Sequence, residues 1–182
     1  MRVFIAIGLP GEIKKRLFET GGLVPGRMSR VAEPNLHITL QFLGEIDEDA
    51  LAKAIGAVRS IKESQFTARI KGISCFKSRG IARVVFANVI DKGNIFSIHN
   101  GLSNALAAEG IKTKAENRYT PHITIGRMKS VQKPETDDFI NAHSVDEFGS
   151  FVASSISVYK SYLSSGGSEY VALYEKKLTF PA

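Results

Sequence analysis

The sequence predicts an α+β fold: a bilobal, pseudo-twofold duplication in which antiparallel or mixed sheets line a central cleft and helices lie outside. Three observations carry this reading. Stretches with strand periodicity alternate with stretches of helical periodicity from end to end, and no linker or composition break divides them. Their order is strand–helix–strand–helix–strand–strand, then helix–strand–helix–strand–strand, which reads as one α+β unit written twice. One short motif, His-Ile-Thr followed by an aliphatic residue, also occurs twice, at 37–40 and 122–125, each time close behind a proline. Residues 1–182 are therefore expected to form a single bilobal domain.

The elements follow in order. Val3 to Ile7 is β-rich and is stopped by Gly8-Leu9-Pro10-Gly11. Glu12 to Thr20 places Ile13, Leu17 and Phe18 on one helical face. Gly21, Gly22, Pro25 and Gly26 break it, and Pro34 introduces a strand from Leu36 to Leu43. Asp47 is placed to cap a helix from Asp49 to Ile61, whose stripe is Leu51, Ile55 and Val58. Phe66 to Ile73 and Arg83 to Ile90 read as strands. Ile95, Ile98, Leu102 and Leu106 form a helical stripe ending at Gly110. Tyr119 to Arg127 is a strand after the polar run Lys112 to Arg118, and Thr136 to Ala142 is a short helix. Phe151 to Tyr162 and Tyr170 to Thr179 read as two long strands joined through Ser164-Ser165-Gly166-Gly167-Ser168.

At 182 residues, 43% of them hydrophobic, the chain can bury a full core and is not disordered by composition. Lys and Arg number 24 against 18 Asp and Glu, a balance of +6 that favours a polyanionic partner such as RNA. The lone cysteine, Cys75, sits in an apolar context and reads as a buried thiol. No Cys/His ligand cluster suggests a metal, and no cofactor is implied. No apolar run approaches membrane-helix length, and Met1 to Gly8 is too short for a signal peptide. A cytoplasmic monomer without membrane contact is the expectation.

The repeated motif carries the chemistry. Strand geometry places alternate residues on one face. Leu36, Ile38, Leu40 and Phe42 are then expected in the core, with His37, Thr39 and Gln41 on the other face. In the second copy Ile123 and Ile125 point inward while His122 and Thr124 point outward. Two such strands facing each other would line a cleft with two histidines and two threonines. Opening a cyclic phosphodiester needs a base for the attacking water and an acid for the leaving ribose oxygen. Histidine, with a free pKa of about 6.5, serves as either near neutral pH. Both limbs of the pH profile are therefore expected within a unit or two of that value. In-line displacement puts the two oxygens on opposite sides of phosphorus, and threonine hydroxyls can donate to the non-bridging oxygens. His99 and His143 lack a threonine two residues on and read as structural or surface residues.

At these residues the chain resembles the two-histidine phosphoesterase superfamily, and within it the bacterial and archaeal RNA 2′,3′-cyclic phosphodiesterases, also called 2′-5′ RNA ligases. The resemblance covers essentially the whole chain. It includes Arg2-Val3-Phe4-Ile5-Ala6, Asn35 to Gly44 around the first motif, Tyr119 to Arg127 around the second, and Ser161 to Tyr170 near the end. It implies metal-independent hydrolysis of RNA 2′,3′-cyclic phosphate ends to 2′-phosphomonoesters, with reversible 2′-5′ ligation of tRNA halves. It also implies that His37 donates a proton and His122 accepts one; the residues themselves leave that assignment open. Arg127 is implied to contact the phosphate or flanking RNA. Strict alternation puts it opposite His122, so either Gly126 hosts a bulge that turns it round or Arg127 is a salt-bridge partner. Phe4 is a candidate to stack on a base from the cleft wall, its alternative being a core phenylalanine. A relative acting on a small nucleotide such as ADP-ribose 1″,2″-cyclic phosphate is the runner-up reading. An RNA-binding module whose histidines only hydrogen-bond phosphates is the third.

Overall fold

A computed structural model of the chain describes residues 1–113, 119–164 and 167–180. Nine strands and four helices are described: β1 (Arg2–Gly8), α1 (Gly11–Gly21), β2 (Arg27–Arg30), β3 (His37–Glu45), α2 (Glu48–Ser60), β4 (Phe66–Ser78), β5 (Ile81–Ile90), α3 (Asn94–Ala108), β6 (His122–Ser130), α4 (Lys133–Ala142), β7 (Glu147–Ala153), β8 (Ser155–Ser164) and β9 (Gly167–Lys177). A 3₁₀ turn, Glu33–Asn35, leads into β3. Asp47 caps α2 as its position predicts, its carboxylate accepting from the Ala50 amide at 2.8 Å.

The strands form two antiparallel sheets, β3-β1-β8-β9 and β2-β6-β5-β4-β7. Setting β3 against β6 and β1 against β5 shows the internal repeat, because β1, α1, β3 and α2 follow the same order as β5, α3, β6 and α4, with β2 and the 3₁₀ turn inserted before β3 in the first copy alone. The repeat is not two consecutive halves: β8 and β9, from the end of the chain, complete the first sheet. The helices that link paired strands also exchange. α1 leaves β1 yet packs on β6 and β7, and α3 leaves β5 yet packs on β3. Ile13 and Leu17 of α1, and Ile95, Ile98, Leu102 and Leu106 of α3, are buried by this exchange. Apolar burial of that kind ties the two sheets into one core at roughly 25 cal/mol per Å².

Two expectations are corrected. β2 lies in a segment dense in breakers. Gly26 at φ 97° turns the chain into it, and β2 joins the edge of the second sheet beside β6. The single long strand expected over 151–162 is two strands in different sheets. Ala153 and Ile156 are both buried although three residues apart, so the alternation of period two breaks at Ser154.

Candidate active site

Both motif strands carry the same sequence of burial, position by position, from histidine to the ninth residue. His37 and Thr39 face the cleft while Ile38 and Leu40 are buried; His122 and Thr124 face it while Ile123 and Ile125 are buried. The register then slips in both. On the first strand Ile5 pairs Gln41 and Ala6 pairs Thr39, skipping Leu40. On the second Val85 pairs Gly126 and Phe86 pairs Thr124, skipping Ile125. Each slip is a β-bulge, and it puts two consecutive residues inward and turns the next one back to the cleft.

Arg127 is therefore exposed on the cleft side, and Gly126 is the inward residue that makes room. A Cβ there would sit 2.7 Å from Met28 Cγ and 2.9 Å from the Ser29 carbonyl of β2. The same bulge overturns the expectation for the first copy: Gln41 is buried at 4% exposure and Phe42 is out in the cleft at 47%. The signal was present in the sequence. A charged Arg127 cannot alternate inward, and applying its bulge to the matching Leu40-Gln41-Phe42 exposes Phe42.

Buried Gln41 donates to Ser103 Oγ at 2.5 Å and to the His99 carbonyl at 3.2 Å. His99 Nδ1 donates to the bulged Leu40 carbonyl at 2.8 Å, so it carries hydrogen and cannot also accept from Gln41. The His99 ring stacks on Tyr119 at 3.8 Å, and the Tyr119 hydroxyl donates to the Thr39 carbonyl at 2.9 Å. His99 is thus structural as expected, and its task is to hold the bulge beside the first motif.

The catalytic candidates are anchored alike. His37 Nδ1 is 2.6 Å from the Asn35 carbonyl and His122 Nδ1 is 2.7 Å from the Thr120 carbonyl. A carbonyl only accepts, so each Nδ1 carries hydrogen and each Nε2 is the ring nitrogen not held by the backbone. Asn35 is itself tied to β9, its side-chain amide donating to the Ser168 carbonyl.

The surroundings differ. Thr39 Oγ1 lies 2.9 Å from His37 Nε2, while among the described residues His122 Nε2 has no such partner. His37 is enclosed by Phe4 at 4.8 Å and Tyr170 at 5.6 Å between ring centres. Burial pushes its pKa down to about 4; the Asn35 bond opposes this, and the positive charges of Lys14 and His122 press it further down. That depression exceeds the unit or two expected from sequence, because enclosure by aromatic rings is a tertiary effect. Lys14 reaches behind the ring and donates from Nζ to the Pro34 carbonyl at 2.6 Å. His122 meets Phe76 and Phe86 edge-on at 5.1 and 5.2 Å.

His37, Thr39, Thr124 and Arg127 line one cleft of about 350 Å³, together with Phe42 and Tyr170. His122 shares the face of Thr124 two residues along β6, but the lining of this cleft ends at Thr124. Phe4 contacts His37 from the cleft side but is only 3% exposed, stacked on Tyr159 and covered by Tyr170. The more open rings on this cleft are Phe42 and Tyr170, neither of which alternation picked out. Among the described residues no three His, Cys, Asp or Glu side chains converge, and no helix is long and apolar enough to cross a membrane.

Residues 26–162 match the family model described as the 2′-5′ RNA ligase superfamily. A Methanocaldococcus jannaschii protein named RNA 2′,3′-cyclic phosphodiesterase is 33% identical over 178 residues, covering 96% of this chain and 99% of that protein. A Thermotoga maritima protein of the same name is 32% identical, covering 96% and 94%. Among solved structures, a Thermus thermophilus protein superposes with a TM-score of 0.81 at 28% identity over the full length of both chains. E. coli LigT, crystallised with 3′-AMP, gives 0.77 at 26% identity over 98% of this chain and 97% of that one.

Proposed function

The chain belongs to the 2′-5′ RNA ligase superfamily, and from that premise we propose that it is a cyclic phosphodiesterase that opens RNA 2′,3′-cyclic phosphate ends to 2′-phosphomonoesters without a metal. The observation that carries the reading is the pair of identically anchored histidines, each with Nδ1 on a carbonyl two residues back, so that Nε2 is the nitrogen not held by the backbone. Relatives named for this activity align along nearly the whole chain.

The roles follow from surroundings. A water-activating base must be neutral and reach solvent, which suits His122, whose Nε2 makes no protein bond among the described residues. A proton for the leaving ribose oxygen is best delivered where bulk water is excluded, which suits enclosed His37. His37 is neutral in the free protein, and the anionic phosphate raises its pKa on binding. Attack then forms the bond from water oxygen to phosphorus as the bond to the ribose 3′ oxygen breaks. His122 takes the water proton, and His37 supplies one to the 3′ oxygen. Thr39, Thr124 and Arg127 stabilise the charge on the non-bridging oxygens. With a 5′-hydroxyl RNA end attacking phosphorus in place of water, the same step makes a 2′-5′ linkage as the bond to the 3′ oxygen breaks and that oxygen leaves as a hydroxyl, so joining of tRNA halves is part of the proposal. The setting we propose is a cytoplasmic monomer acting on RNA.

The test is an oligonucleotide ending in a 2′,3′-cyclic phosphate, incubated with the protein in excess EDTA. A 2′-phosphate product is expected. A 3′-phosphate product would refute the leaving-group assignment, and turnover abolished by EDTA and restored by a divalent ion would refute metal independence.

A further inference from the structure

Next to the histidine cleft lies a second, larger hollow of about 550 Å³. It opens directly into the first, since Phe42, Arg127, Ser168 and Tyr170 line both. Its far side is made by residues the proposed chemistry does not use: Arg2 at the start of β1 and Leu163 on β8, which is 68% exposed. The β1–β8 register explains the convergence, because Arg2 pairs Ser161 and Phe4 pairs Tyr159, placing Arg2 on the cleft face of the first sheet.

Two features show what would fill this hollow. The first is charge. Arg2 comes from the first sheet and Arg127 from the second, and both line the hollow beside Tyr170, whose hydroxyl is held above its usual pKa by burial while the two guanidiniums oppose the shift. Neither guanidinium is in an ion pair among the described residues. Unpaired guanidiniums at the mouth of a hollow are suited to a phosphate. The second is the apolar floor: the half-exposed ring of Phe42 and the exposed Leu163 present faces that a base or ribose can cover.

We infer that this hollow is a second nucleotide subsite, which holds the nucleotide preceding the cyclic-phosphate end, with Arg2 on the phosphodiester that joins the two. The inference rests on the phosphodiesterase reading above. Its direction follows from covalent chemistry. A terminal nucleoside whose 2′ and 3′ oxygens are both tied to the cyclic phosphate continues only through its 5′ oxygen. The hollow that adjoins the cleft therefore receives the upstream nucleotide. The protein is in this way built to prefer RNA ends over free cyclic mononucleotides, and it separates RNA from a small cyclic nucleotide by a contact remote from the reacting atoms.

The experiment compares kcat/KM on 2′,3′-cyclic AMP with kcat/KM on the dinucleotide ApA bearing a 2′,3′-cyclic phosphate, for the wild type, Arg2→Gln and Arg2→Lys. The wild type should prefer the dinucleotide. Arg2→Gln should lower dinucleotide turnover by about tenfold to a hundredfold, the loss of a hydrogen bond to a charged group, and leave the mononucleotide unchanged. Arg2→Lys should recover part of the loss. The slope of log kcat/KM against log salt for the dinucleotide should also flatten by about 0.7 in Arg2→Gln. Equal wild-type rates on the two substrates, or an Arg2→Gln defect that is the same on both or absent from both, would overturn the subsite while leaving the phosphodiesterase intact. Failure of the wild type on both cyclic phosphates would overturn the phosphodiesterase reading itself.

Discussion

The two motif strands are the same object built twice and then placed in unlike surroundings. β3 and β6 share their burial pattern, their bulge and the anchoring of histidine Nδ1 on a carbonyl two residues back. Around β3, however, Phe4 and Tyr170 close on the histidine, Thr39 engages its Nε2, and Lys14 stands behind it. Around β6 the histidine meets two phenylalanine edges and its Nε2 stays free among the described residues. The motif fixes where a reactive nitrogen points. The neighbours differ, and around His37 burial holds the ring in its neutral form.

The largest effect expected is loss of either histidine. His37→Ala and His122→Ala should each lower kcat/KM on a cyclic-phosphate dinucleotide by about 10²–10⁴-fold, with the fold retained by circular dichroism. One mutant near wild-type rate would break the pairing of the two strands. Threonine comes next. Thr39→Ala and Thr124→Ala each remove a hydrogen bond to a charged oxygen, costing on the order of 1.5–3 kcal/mol in kcat/KM. The two strands differ here, since Thr39→Ala should also change the NMR signal of His37 Nε2, to which the threonine hydroxyl is hydrogen-bonded.

The bulges can be probed by stability. Gly126→Ala forces a Cβ against Met28 and the Ser29 carbonyl, and should cost about 1–3 kcal/mol by overpacking. Gln41→Ala leaves half-buried Ser103 and the His99 carbonyl with one partner fewer, at a similar cost of about 1–3 kcal/mol. Each kcal/mol should appear as a fall in Tm of roughly 2–4 °C for a chain of this size. A Tm unchanged in both would mean that the bulges are not held as described. The smallest effect belongs to Lys14→Met. Removing that charge should raise the His37 pKa slightly, because burial and not Lys14 is the main cause of its depression.

Much of this was legible in the sequence, and the limits have physical causes. Motif periodicity placed His37, Thr39, His122 and Thr124 on one kind of face, and helix stripes such as Ile95 to Leu106 identified the core. A bulge is a pairing event between strands, so strict alternation sent Phe42 inward and Gln41 outward, the reverse of their positions. Arg127 was caught because burying a lone guanidinium is costly enough to demand a bulge. Phe4 passed the parity test and still came out covered, since only the β1–β8 and β8–β9 pairings bring Tyr159 and Tyr170 over it. The exchange of α1 and α3 between sheets, and β2 between two breakers, likewise depend on long-range packing that no local period records.

The most direct test of the unequal pair is kcat/KM against pH, from about pH 3 to 10, on a cyclic-phosphate dinucleotide. This quantity reports the free protein, where His37 titrates at about 4. Below that value the pair holds its full complement of protons and no base remains. Above the alkaline limb, which belongs to the coupled pair, both are neutral and no acid remains. The account predicts a bell whose acid limb lies near 4 in kcat/KM and moves upward in kcat, because bound phosphate favours the protonated ring. An acid limb near the free histidine value of about 6.5 would contradict the enclosure of His37, and a rate climbing steadily to about pH 10 would contradict the acid–base pair altogether.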